Sequence, residues 1–140
     1  MSNNQIQELK GLDRLKKLEL LELRGNNILE IKGLSSLNNL RFIDLSQNQI
    51  SELNGAKNLK YLTHLFLDDN KINSIKVGAF DGLERLFYLR ISNNQLTTTT
   101  ELLKINSENL GTISLDIGKF EKTEIEQLKN KYGKNTIQPA

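Results

Sequence analysis

Cysteine is absent from the 140 residues, which rules out a disulfide framework, a thiolate metal site and a cysteine nucleophile. Histidine and proline occur once each, as His64 and Pro139. Net charge is almost absent too. The 19 Lys and Arg against 17 Asp and Glu leave +2, so electrostatics give no case for DNA, RNA or an anionic membrane as the main partner. No apolar run approaches the roughly 18 residues of a membrane span, and no Asn-x-Ser/Thr acceptor site is present. The first ten residues, MSNNQIQELK, lack the basic-then-apolar order of a signal peptide. Together these absences lead us to expect a cytoplasmic protein. The remainder, 37% hydrophobic and 26% charged, has the composition of a soluble globular chain with one core.

Candidate chemistry gathers in one stretch, LTHLFLDDNKI from Leu62 to Ile72. His64, Asp68, Asp69 and Asn70 would suit a metal site or an acid/base cluster if nothing else explained them. An internal repeat explains part of it. LELLELRGNNI from Leu18, LRFIDLSQNQI from Leu40, LTHLFLDDNKI from Leu62 and LFYLRISNNQL from Leu86 all read L-x-x-L-x-L/I-x-x-N-x-L/I, with Ile43 in the fourth slot of the second copy. Their starts lie 22, 22 and 24 residues apart, and a degenerate fifth copy begins at Leu110, with Gly118 in place of the asparagine. Each unit has one short strand with three inward aliphatics and cannot bury its apolar side alone. Stacking makes a parallel sheet over one continuous core. Leu21, Ile43, Leu65, Leu89 and Ile113 form one row of that core. Asn26, Asn48, Asn70 and Asn94 turn the chain inward after each strand, where a short amide satisfies backbone groups that would be costly to leave unpaired.

This eleven-residue signature resembles the leucine-rich repeat family, and the likeness covers nearly the whole chain. The 22-residue copies, with IKGLSSLNNL, are similar to the class of phosphatase-regulator-like and internalin-like proteins. The 24-residue copy with VGAFDGLERL is similar to the class common outside cells. The expected fold is an α/β, right-handed solenoid with a parallel concave sheet and a C-terminal helix-plus-strand cap.

The expected organisation is a partial repeat or cap over 1–17, five strands over 18–119 and a cap over 120–140. NNQIQELKGLDRL aligns with NNILEIKGLSSL after a shift of 22, so the chain begins with the convex half of a repeat. Either that half-turn is the natural cap or it is cut from something longer. At the other end a further step of 24 places Ile137 in the slot of Ile113. In between, TEIEQLKNKYG predicts a helix, with Thr123 and Glu126 as a capping box, Ile125, Leu128 and Tyr132 on one face and Gly133 at the stop. A plain covering helix competes there with a partner-binding one. TTTTELLKINSENL, from Thr97 to Leu110, reads as an extended connector.

Strand alternation turns two columns out onto the concave face. One reads Leu20, Phe42, His64, Tyr88, Thr112; the other reads Glu22, Asp44, Phe66, Arg90, Ser114. Phe42, His64, Phe66 and Tyr88 form a contiguous ring-bearing patch, with Phe87 at its margin, and exposed patches of this kind mark partner surfaces. Glu22 and Asp44 sit side by side, with Asp68 and Asp69 near, as an acidic border suited to a partner with Lys or Arg beside an apolar anchor. Solvated, β-favouring side chains with no partner are the plainer reading. His64 and the Asp68–Asp69 pair stand too far apart to share an ion, DDNK lacks the glycine and terminal glutamate of a calcium loop, and no nucleophile faces His64. The expectation is therefore a protein-recognition module without metal, cofactor or catalysis, with Leu20, Phe42, His64, Phe66 and Tyr88 as anchors and Glu22, Asp44, Asp68, Asp69 and Arg90 setting the partner's orientation. Its partner is a protein rather than nucleic acid or a membrane. It is expected to be monomeric, unless the N-terminal edge at Leu20 pairs with another chain.

Overall fold

A computed structural model describes residues 4–140; Met1 to Asn3 of the expected N-terminal unit lie outside the described residues. The strands are β1 (Leu20–Glu22), β2 (Phe42–Asp44), β3 (Glu52–Leu53), β4 (His64–Phe66), β5 (Ser74–Ile75), β6 (Tyr88–Arg90), β7 (Thr112–Leu115) and β8 (Ile137–Pro139), with one helix, α1 (Lys122–Tyr132), before the last. Six of them make a parallel sheet in the order β1-β2-β4-β6-β7-β8. Strands this short persist because each repeat delivers the same register to the next. Leu21 pairs with Ile43, Ile43 with Leu65, Leu65 with Leu89, Leu89 with Ile113, and Ile113 with Ile137. Exposure along that row is zero from Ile43 to Ile113 and rises to 8% at Leu21 and 4% at Ile137, so the core is sealed in the middle and thinner at its ends.

The asparagine column is the polar spine of this stack. The Asn70 amide nitrogen donates to Leu67 and Asp68 of its own repeat and to Leu45 of the preceding one, at 3.0–3.2 Å. Its oxygen accepts the Ile50 N–H at 3.0 Å. Asn48 and Asn94 make the same set one repeat to either side, and Asn26 accepts the Ile6 N–H. One amide per repeat thus satisfies backbone groups of two repeats. The residue before each asparagine is left-handed: Gly25, Gln47, Asp69 and Asn93 have φ between 52° and 68°, a conformation that tightens the turn off the strand.

Three expectations need correction. The repeats carry a second ladder opposite the main sheet, where β3 pairs with β5 (Glu52 with Ser74, Leu53 with Ile75). The connector after Thr97 is not simply extended. A 3-10 turn spans Thr100–Lys104 and buries Leu102, because α1 packs against it. Nor does Thr123 cap α1. The helix starts at Lys122 with Glu121 as N-cap and no side-chain cap bond. Glu124 instead reaches across to Thr98 Oγ1 and the Thr99 N–H, both at 2.8 Å, and this tertiary pairing sets where the helix begins. Ile125 and Leu128 are buried, Tyr132 donates its hydroxyl to the Leu102 and Ile105 carbonyls (2.8 and 2.9 Å), and Gly133 ends the helix at φ 97°.

Candidate functional site

The open face of the sheet carries the aromatic residues as one cluster. Register places Phe42 beside His64 and His64 beside Tyr88 in one column, with Asp44, Phe66 and Arg90 abreast in the next. The spacing between strands brings the rings within contact. Phe42 and Phe66 lie 5.1 Å apart edge to face, Phe66 and Tyr88 5.6 Å, His64 and Phe66 6.0 Å, and His64 and Tyr88 6.0 Å. Phe42 and His64 are 5.8 Å apart, and Phe87 reaches His64 at 6.3 Å. Edge-to-face pairs of this kind add about 0.5–1.5 kcal/mol each beyond area burial, so the cluster is a rigid platform. All four central rings remain partly exposed.

The second column behaves differently from its reading in sequence. Asp68, placed on the acidic border by the strand pattern, is buried to 4% exposure and is not open to a partner. Its Oδ1 accepts the Ser92 N–H at 3.0 Å, and its Oδ2 lies 2.7 Å from Arg90 Nε. The Arg90 N–H does not point along that contact, so the pair is held by charge rather than by an aligned hydrogen bond. Burial pushes the Asp68 carboxyl above its ordinary value; Arg90 and the Ser92 N–H pull it back only in part, and Asp69 adds to the rise. Arg90 in turn lies 5.1 Å over the Phe66 ring. Its charge is therefore committed to the scaffold on both sides.

Glu22 and Asp44 stay abreast at the N-terminal end of the face, although Asp44 spends Oδ1 on the Ser46 N–H at 2.9 Å. Asp69 is exposed and accepts from the Asn93 amide at 2.6 Å. Leu20, on the edge strand, is 52% exposed. His64 Nδ1 lies 2.9 Å from the Thr63 hydroxyl. Among the described residues no group of three His, Asp or Glu is placed to hold a metal ion. Sequence pattern left Arg85 and Tyr61 out of the site. The guanidinium of Arg85 sits 4.9 Å over the Tyr61 ring at the rim where the strands begin, a pairing that only tertiary placement reveals.

A sheet-faced solenoid of short repeats, knit by a buried asparagine per turn, is the class this geometry defines. Family models described as leucine rich repeat match residues 39–59 and 54–96. The chain belongs to the leucine-rich repeat family. Among solved structures it is similar to internalin C2 from Listeria monocytogenes, with 32% identity, a TM-score of 0.69, and 79% of this chain and 47% of that one covered. It is also similar to a leucine-rich repeat protein from Leptospira interrogans (32% identity, TM-score 0.83, 96% and 35% covered). A third likeness is to a chain in the octameric complex of Latrophilin 3 (Lec, Olf), Unc5D (Ig, Ig2, TSP1) and FLRT2 (LRR), at 25% identity and TM-score 0.80, with 99% and 45% covered. The chain spans less than half the length of each of these. No curated protein matches it.

Proposed function

We propose that the chain is a non-catalytic protein-recognition module that receives its partner on the concave face of the sheet. One observation carries the reading: Phe42, His64, Phe66 and Tyr88 form a contiguous, partly exposed ring cluster on the open face, and a cluster this apolar on a soluble surface is typical of a contact site. Membership in a family with a structural neighbour in a multi-protein complex supports it. The rings anchor an apolar side chain of the partner. Glu22 and Asp44 at one end, with Asp69 beyond the strand, favour a Lys or Arg beside that anchor. Arg90 orients Phe66 rather than meeting the partner's charge.

The test is a paired capture from lysate of the source organism with the wild type and a Phe42→Ala/Tyr88→Ala variant, both shown to be folded by circular dichroism. A protein held by the wild type and released by the variant, then shown to bind as a purified component, supports the face. Equal capture by both baits removes it from consideration.

A second reading has its own observation. Leu15 and Leu20 are about half exposed (48% and 52%) beside the edge strand β1, in a hollow of about 480 Å³ that Ile6, Leu9, Leu12 and Leu18 also line. In this reading the module is a structural unit of a longer repeat protein and associates through that edge. Sedimentation distinguishes the two, since edge pairing in the isolated chain gives a concentration-dependent dimer that a Leu20→Lys substitution abolishes.

A further inference from the structure

We infer that a second contact site lies at the rim where the strands begin, fitted to an acidic residue next to an apolar one in a partner protein segment. It rests on the sheet-face reading only in taking the partner to be a protein.

The residue just ahead of each of the first five strands of the main sheet forms a column: Glu19, Arg41, Thr63, Phe87, Gly111. Its first members are polar and mutually satisfied. Arg41 pairs with Glu19 at 3.5 Å, and the Thr63 hydroxyl donates to the Arg41 carbonyl at 2.8 Å. Phe87 breaks the series and stands 48% exposed. Gly111 makes room for it, because a Cβ at that position would overlap the Phe87 ring. The ring is thus seated against the next repeat's backbone while about half its surface faces water. Beside it lies an open hollow of about 550 Å³ lined by Thr63, His64, Arg85, Phe87 and Asn109. Its volume is within the range of clefts that hold small ligands, but an open trough suits side chains of a docked segment better than an enclosed molecule.

The polar groups around that ring are complementary to a carboxylate. Arg85 has no carboxylate within ion-pair distance among the described residues. The Tyr61 ring beneath it holds the guanidinium in place without neutralising it. That contrasts with Arg90, whose charge Asp68 already takes. A planar guanidinium matches a carboxylate better than any other anion-binding side chain does, and the Asn109 amide lines the same wall. His64 adds a polar atom. Since the Thr63 hydroxyl spends its proton on Arg41, it accepts from His64 Nδ1, which leaves Nε2 as the ring nitrogen for the partner's backbone. Glu84 and Glu108 line the adjoining hollow that shares Arg85 and Asn109, so a polyanion tracking past Arg85 would meet like charge there. His64 also joins this rim to the ring cluster on the sheet, through Phe87 at 6.3 Å, so one segment can engage both.

The experiment is an NMR titration of the whole chain with acetyl-Gly-Asp-Phe-Gly-amide, acetyl-Gly-Lys-Phe-Gly-amide and single-stranded oligothymidine, each to about 5 mM, where even a Kd near 1 mM is visible. The aspartate peptide is expected to shift Thr63, His64, Phe87 and Asn109 and to bind about fivefold or more tightly than the lysine peptide. Arg85→Glu should reverse that preference, and Phe87→Ala should weaken both peptides. The Phe42→Ala/Tyr88→Ala variant keeps Arg85, Phe87 and Asn109, so peptide shifts there persist even if the sheet-face reading fails. An absence of shifts at these residues overturns the assignment, as does an unchanged preference in Arg85→Glu or tighter binding of the oligonucleotide. Partner capture lost with Phe42→Ala/Tyr88→Ala but untouched by Arg85→Glu would leave the sheet face standing and remove the rim.

Discussion

Arg90 Nε lies 2.7 Å from Asp68 Oδ2, one repeat apart, with the guanidinium 5.1 Å over the ring of Phe66. A buried carboxylate, a partly exposed cation and an aromatic anchor are thereby linked across two strands. The acidic border of the face is shorter than its sequence, because one of its carboxylates serves the fold.

Removing Arg90 leaves the Asp68 carboxylate buried without its counterion. Arg90→Ala is expected to lower stability by about 1–2 kcal/mol, less than for a fully buried pair because the arginine is partly solvated. The sign of the pH dependence follows from Asp68. Its folded pKa is raised from the ordinary 3.8, so protonation favours the folded state, and that benefit is lost as pH rises through the folded value. Arg90→Ala raises that value further. The gap between wild type and variant should close in acid and open toward neutral pH, as read from melting temperature between pH 3 and 7. A gap independent of pH would mean that Asp68 is not the group left uncompensated.

Asn70 makes four backbone hydrogen bonds in two repeats. Asn70→Ala strands the Ile50 N–H and deprives three carbonyls, at an expected cost of about 3 kcal/mol or more. Asn70→Asp should be no better, since it keeps the acceptor but sets an oxygen against those carbonyls. Urea unfolding checks both. The midpoint should fall with little change in slope.

The register of the main sheet was legible because one slot recurs every 22 or 24 residues, so Phe42, His64 and Tyr88 had to be neighbours once the strands were parallel. The seat of Ile137 beside Ile113 followed from the same period. The burial of Asp68 was not legible from strand alternation, which ends at Leu67. The signal lay in its own column, where Ser46 and Ser92, both small and both buried, mark a position that closes over. The start of α1 and the turn at Thr100 escaped because both depend on contacts between the two segments, Glu124 with Thr99 and Tyr132 with Leu102, which local sequence does not show.

Gly11 and Gly55 occupy the same turn, two repeats apart, and separate two costs. Both are left-handed, at φ 73° and 84°. A Cβ on Gly11 meets nothing within 4 Å, whereas one on Gly55 collides with the Ile31 carbonyl oxygen. Gly11→Ala should cost only the backbone term, about 1 kcal/mol. Gly55→Ala adds displacement of the neighbouring repeat and should cost about 2–4 kcal/mol. Equal losses in thermal unfolding would show that the stack yields at Ile31.

The C-terminal cap is fastened by two titratable groups of opposite sense. Hydrogen bonds from the Thr99 N–H and the Thr98 hydroxyl hold the Glu124 carboxyl below its ordinary 4.5. Its contribution is therefore present above that pH and is lost as pH falls through the folded value. Burial pushes Tyr132 up to about 12 from 10, so its contribution is complete below pH 10 and disappears as pH rises to about 12. Tyr132→Phe leaves the Leu102 and Ile105 carbonyls without their donor and should cost about 1–2 kcal/mol at neutral pH. Glu124→Gln should cost about 1 kcal/mol, since water shares the site. The Tyr132→Phe deficit should persist in acid and vanish between pH 10 and 12, while the Glu124→Gln deficit should do the reverse and vanish below pH 4.5. Hydrogen exchange of the β8 amides, followed across that range, reads the cap directly. Equal exchange in both variants at every pH would mean that the cap is held by Ile125 and Leu128 alone.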